Sequence, residues 1–181
     1  METIVNKQKN VLKRLLAEFN EAEIAAIYER EEETELAVDI VSCLEDEFGA
    51  DSDVAEFNFF FIPQADCPEN MQFFESYITL NTEVIKEQLM VVAAAASIMN
   101  QYLAYGAFVV DMPNAFVRYK LSVPMVTDLD EDTLYKEINA CATLAIELAE
   151  QYAHVFARLS AGEMEFEEFI GMVPQLVSEE E

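Results

Sequence analysis

Three aspartates at alternate positions, Asp128, Asp130 and Asp132, come nearest in this sequence to a spacing with a known chemistry. An Asp-x-Asp-x-Asp run can open a calcium loop, which then needs glycine at its sixth position and a bidentate glutamate at its twelfth. Those positions hold Thr133 and Asn139, so the run reads as the acidic entry to a helix. Asp130 is the expected cap, and Glu131 and Asp132 favour the positive end of the helix dipole. His154 is the single histidine, and one imidazole without marked partners builds neither a zinc site nor a catalytic triad. Cys43, Cys67 and Cys141 are odd in number and far apart, which fits neither a disulfide framework nor a metal knuckle. There is no Gly-rich phosphate loop, no GxSxG elbow and no dinucleotide fingerprint. Carboxylate pairs carry no signal in a chain with 36 acidic residues. The sequence thus marks no catalytic residue, no cofactor and no metal, and the expectation is a protein that is not an enzyme.

The charge balance narrows the partners. A formal net charge of −26 would repel a phosphate backbone, which argues against nucleic acid, and it disfavours anionic membrane surfaces for the same reason. The charge is uneven. Residues 1–16 carry Lys7, Lys9, Lys13 and Arg14 against Glu2, whereas the remainder has 6 basic and 35 acidic residues. A basic first segment is expected to be drawn onto the acidic body. The apolar fraction of 52% excludes a disordered chain, and no apolar run approaches the roughly 20 residues of a membrane span. The N-terminus lacks a signal-peptide core, and with the cysteine usage this gives a cytoplasmic expectation.

The elements that would position any site follow from periodicity. Leu134, Ile138, Cys141, Ala145, Leu148, Tyr152, Val155 and Leu159 recur in steps of four and three, the stripe of a long amphipathic helix that Gly162 can end. Before it, the pattern predicts a hairpin. A turn at Pro113-Asn114 places Val110 opposite Val117 and Phe108 opposite Tyr119, with Phe108, Val110, Val117, Tyr119 and Leu121 facing inward. Another helix is expected from Asn81 or Thr82 to about Leu103, with Gly106 free to take a positive φ behind it. Upstream, strands are expected at Leu36–Leu44, Glu56–Ile62 and Gln72–Leu80, separated by turns at 45–53 and 65–70. The stretch 20–35 is ambiguous, since Ile24–Tyr28 suits a helix or a strand. An amphipathic helix spans 1–19, and 163–181 reads as a short helix and an acidic tail. The expectation is a single α+β domain over 1–162, an antiparallel sheet of about five strands with helices packed on it, in the order α-β-β-β-α-β-β-α.

That order, with Met99-Asn100-Gln101-Tyr102-Leu103, Tyr105-Gly106-Ala107-Phe108, Phe116-Val117-Arg118-Tyr119-Lys120-Leu121 and the acid-started helix from Asp130, resembles the type III secretion chaperone-like fold, in particular its YbjN-like branch. The resemblance covers roughly 36–162. It implies a small cytoplasmic α+β protein, frequently dimeric, that binds other polypeptides in a chaperone-like or regulatory role. The expected partner is therefore another protein or a second copy, met at a sheet edge or at the outer hairpin face carrying Val109, Phe116, Arg118 and Lys120. The competing expectation is a small-molecule site or an enzyme with a pocket between helices and sheet.

Overall fold

The computed structural model describes residues 2–21, 27–31, 36–41, 54–60 and 70–178. The expected turns at 45–53 and 65–69, Cys43 and Cys67, and the tail 179–181 lie outside those residues. Alternation of apolar side chains makes the sheet. Among the described residues it has six antiparallel strands in the spatial order β1-β2-β3-β4-β6-β5. They are β1 (Ile27–Glu31), β2 (Leu36–Val41), β3 (Val54–Phe60), β4 (Met71–Glu83), β5 (Ala107–Asp111) and β6 (Phe116–Val126). The α+β class holds, and the strand count is six rather than five. The added strand is β1, whose Tyr28 pairs with Asp39 and whose Arg30 pairs with Ala37.

Among the described residues four α-helices accompany the sheet: α1 (Glu2–Glu21), α2 (Leu89–Met99), α3 (Glu131–Ala161) and α4 (Phe166–Ser178). The face they cover carries Phe74, Ile78, Leu80, Phe108, Val117, Tyr119 and Leu121, all buried. The 31-residue α3, about 45 Å long at 1.5 Å per residue, runs over β4 and β6. Its buried stripe includes Leu134, Ile138, Ala145, Tyr152, Val155 and Leu159, while Cys141 and Leu148 are half-buried at its margin. Asp130 caps its start by accepting from the Thr133 N–H at 3.0 Å, and Gly162 ends it at φ 72°. The α1 helix lies on α3 and on the β1–β2 side of the sheet. Its cations meet the body as their charge predicts: Arg14 pairs with Asp132 at 2.7 Å, and the Lys7 ammonium donates to the carbonyls of Thr127 and Leu129. A buried hydrogen bond, donated by the Gln8 amide to the Gln72 amide oxygen, ties α1 to β4.

Two boundaries differ from the sequence expectation. The helix expected from Asn81 or Thr82 begins at Leu89, because β4 continues through a bulge until Glu83 pairs with Phe116. The Val84 N–H then donates to the Ala115 carbonyl at 2.8 Å, and one 3-10 turn at Lys86–Gln88 leads into α2. That helix stops at Asn100 rather than near Leu103, so Gly106 serves the following loop instead of a helix cap. Its φ of 64° is required there, since the ring of Tyr119 and the Lys120 carbonyl, 2.7 Å from where a Cβ would stand, leave no room for a side chain. The hairpin takes the expected register, Phe108 with Tyr119 and Val110 with Val117. Its loop is longer than two residues: Asp111 pairs with Phe116, Ala115 adopts φ 58°, and the Asp111 carboxylate accepts from the Asn114 backbone and side chain.

Candidate functional site

The outer hairpin face carries Val109, Phe116, Arg118 and Lys120. Val109 is open, 47% exposed. Phe116 is half-buried beneath the Arg118 guanidinium, 4.6 Å above its ring centroid, and Val109 stands across the strand pair from Arg118. Lys120 is spoken for within the sheet: its ammonium lies 2.6 Å from a Glu75 oxygen and 2.8 Å from the Tyr77 hydroxyl, and Ser122 donates to the same Glu75 oxygen at 2.7 Å. Burial lowers the Lys120 pKa, but the hydrogen bonds to Glu75 and Tyr77 outweigh it and the net shift is upward. Lys120 is thus held as a cation and cannot serve as a base at neutral pH. Asp111 is held below the usual carboxylate range by its bonds to Asn114, with Arg118 adding to the effect. The four residues share a face, yet the two cations are engaged by neighbours and Phe116 is partly covered.

A different surface emerges beside them, at the free edge of β5. An edge strand turns the N–H and C=O of every second residue away from its neighbour. For Phe108 these groups are met by a side chain: Asn100, at the end of α2, accepts from the Phe108 N–H at 2.7 Å and donates to its carbonyl at 2.9 Å. The amide pairs with Phe108 as a partner strand would. Two residues on, Val110 turns its backbone groups to the same side, and there a groove opens. It encloses about 310 Å³, is open to solvent, and is lined by Ala93, Ala96, Ser97, Asn100, Phe108, Val109, Val110 and Met112.

The edge is rigidly backed. The Phe108 side chain points inward and packs on Tyr119 at 5.2 Å, Tyr152 at 5.9 Å and Phe156 at 4.5 Å between centroids. Tyr119 in turn donates to the Tyr105 carbonyl at 2.8 Å; burial pushes its pKa up to about 12, with Tyr152 contributing, so it remains a donor. The small residues Ala93, Ala96 and Ser97 let α2 approach and still leave the groove open. Met112, which lines it, is exposed, as are Met90, Tyr102 and Tyr105 on α2 and the loop after it.

No lining residue has an ionisable side chain, so the groove offers hydrogen bonds and apolar contact. Among the described residues, no group of three His, Cys, Asp or Glu side chains could hold a metal ion. No described helix is long and apolar enough to cross a membrane. In the sequence, Ala93–Ala96 reads as a thin patch for close packing, with a binding groove as the less common alternative, because alanine and serine carry no chemical signature. One signal was present: from Leu89 to Val110 no side chain is charged, in a chain that is 25% charged. No protein-family model and no curated protein matches the sequence.

Proposed function

We propose that this protein binds an extended segment of another polypeptide by strand addition at the edge of β5, with side chains of that segment entering the groove between β5 and α2. We also read the order of helix, strands, helix, hairpin and helix as a type III secretion chaperone-like arrangement of the YbjN-like kind, a cytoplasmic interaction protein rather than an enzyme. The observation that carries the binding reading is the pairing of Asn100 with Phe108, an internal mimic of strand addition beside an unfilled position at Val110. Backbone hydrogen bonds would supply affinity, and the groove would select side chains. Val109, the exposed member of the outer face, also lines the groove and joins the two surfaces.

The test is a selection of random octapeptides on the immobilised protein, followed by binding measurements on Val110→Pro and Ser97→Trp. Proline at Val110 removes an outward N–H while leaving the bonds to β6 intact, the position where an edge strand tolerates it. Tryptophan at Ser97 fills the groove from the helix side. Selected peptides should lose at least about tenfold in affinity for both variants, corresponding to about 1.4 kcal/mol. Peptides that bind both variants as well as the wild type would refute the site.

A further inference from the structure

The distribution of charge says what kind of segment the edge would hold. The chain carries −26, yet α2, the loop after it and β5 as far as Val110 carry none of it. The basic helix α1 is laid at the other end of the molecule, its Arg14 bound to Asp132 and its Lys7 to two carbonyls. Beside α2 instead stands α4, and the segment leading into it exposes Glu163 and Glu165 while its first turn exposes Glu167 and Glu168, of which Glu168 is paired to Arg158 at 3.0 Å. Arg118, across from Val109, lies over the Phe116 ring and helps to lower the Asp111 pKa. Lys86 in the 3-10 turn stands between Glu83 and Glu87. The edge is therefore an uncharged strip on a chain of net charge −26.

We infer that the occupant of the β5 edge is a short extended segment with an uncharged, apolar centre and lysine- or arginine-rich flanks. This rests on the strand-addition reading above. An uncharged centre brings no ion to be desolvated in the groove, and the strip has none to offer it. Basic flanks gain from the net negative charge of the body and are steered to it, an effect screened over about 8 Å at physiological salt. A second copy of this chain is the poorest occupant, because pairing two β5 edges across a two-fold axis would bring two bodies of −26 together. Asn100 limits the length of the segment: its amide already fills the position at Phe108, so a partner strand pairs at Val110 and leaves past Met112.

Three synthetic nonapeptides test the inference, each with a Thr-Val-Ser-Val-Thr centre and flanked on both sides by two lysines, two serines or two glutamates. Fluorescence anisotropy against the wild type, Ser97→Trp and Val110→Pro at about 20 mM and about 300 mM NaCl gives the readout, a range over which the screening length shrinks several-fold. The lysine-flanked peptide should bind about tenfold or more tighter than the serine-flanked one at low salt, converge with it at high salt, and lose binding to both variants. Equal binding of the lysine- and serine-flanked peptides, abolished by both variants, would overturn the charge inference and leave strand addition standing. Lysine-flanked binding that survives both variants would place the peptide elsewhere on the acidic body, and no binding by any of the three would count equally against both readings. A glutamate-flanked peptide that binds as well as the lysine-flanked one overturns the inference outright.

Discussion

Replacing Asn100 with alanine isolates the contact on which the edge argument turns. The substitution removes two neutral hydrogen bonds, at 2.7 and 2.9 Å, each contributing about 0.5–1.5 kcal/mol net. The abandoned Phe108 N–H and C=O lie at the wall of an open groove, where water can replace the amide, so the full penalty of a buried unpaired group does not apply. Alanine also returns a few tenths of a kcal/mol in helix propensity at the end of α2. The expected loss is about 1–2 kcal/mol, read as a lower urea midpoint at unchanged slope. Hydrogen exchange at the Phe108 amide should accelerate about 5- to 30-fold if local opening governs it. Asn100→Asp refines the test. A carboxylate still accepts from the Phe108 N–H but faces the Phe108 carbonyl without a proton, so the folded state raises its pKa above the unfolded value. Stability is then fully present below the unfolded pKa and is lost as pH rises through the folded one. An Asn100→Ala protein with an unchanged midpoint and unchanged Phe108 exchange would refute the pairing. Peptide affinity provides the independent arm: the alanine variant frees a second outward residue on β5 and should bind the selected peptides more tightly, whereas weaker binding would make Asn100 a ligand contact instead.

Three further outcomes follow from backbone and capping geometry. Gly106→Ala combines a positive φ with overlap on Tyr119 and should cost about 2–4 kcal/mol in urea unfolding, against about 1 kcal/mol for Gly162→Ala, whose nearest neighbour is the flexible Gln88 amide at 3.2 Å. Ala115→Gly relieves φ 58° in the hairpin loop and should raise the thermal midpoint, by at most the equivalent of about 1 kcal/mol because glycine also loosens the unfolded chain. Asp130→Ala removes the cap of α3; the Thr133 bonds hold the Asp130 pKa below its usual value, so its contribution is present above the unfolded carboxyl pKa and disappears as pH falls through the folded one. The stability difference between wild type and Asp130→Ala should accordingly be largest near neutrality and vanish in acid.

What could be read from the sequence was whatever local periodicity and capping dictate. The α3 stripe, its Asp130 cap, its Gly162 stop and the pairing of Phe108 with Tyr119 all follow from residues close in the chain or from a strict period of two. The start of α2 did not, because Asn81 and Thr82 are good capping residues by type, and the pairing of Glu83 with Phe116, which keeps them in the sheet, comes from a strand more than thirty positions on. β1 was ambiguous for a related reason: five residues with glutamate and arginine among them form a strand only once β2 is there to pair with them. The groove was the least legible feature. Its geometry depends on an asparagine reaching a strand edge eight residues away and on alanines that let a helix come near, and neither advertises itself by chemistry.

The placement of α1 has a consequence for how the chain is made. Its anchors lie far along the sequence: Arg14 and Asp132 are 118 residues apart, and Lys7 reaches carbonyls 120 and 122 residues on. At about 5–20 residues per second, the first helix leaves the ribosome on the order of ten seconds before α3 exists to receive it. Through that interval its apolar stripe, Val11, Leu12, Leu15 and Phe19, has no native cover from α3. The nascent chain therefore carries a sticky, positively charged segment until α3 is made to shield it, and in that interval it is more open to capture by chaperones than the folded protein.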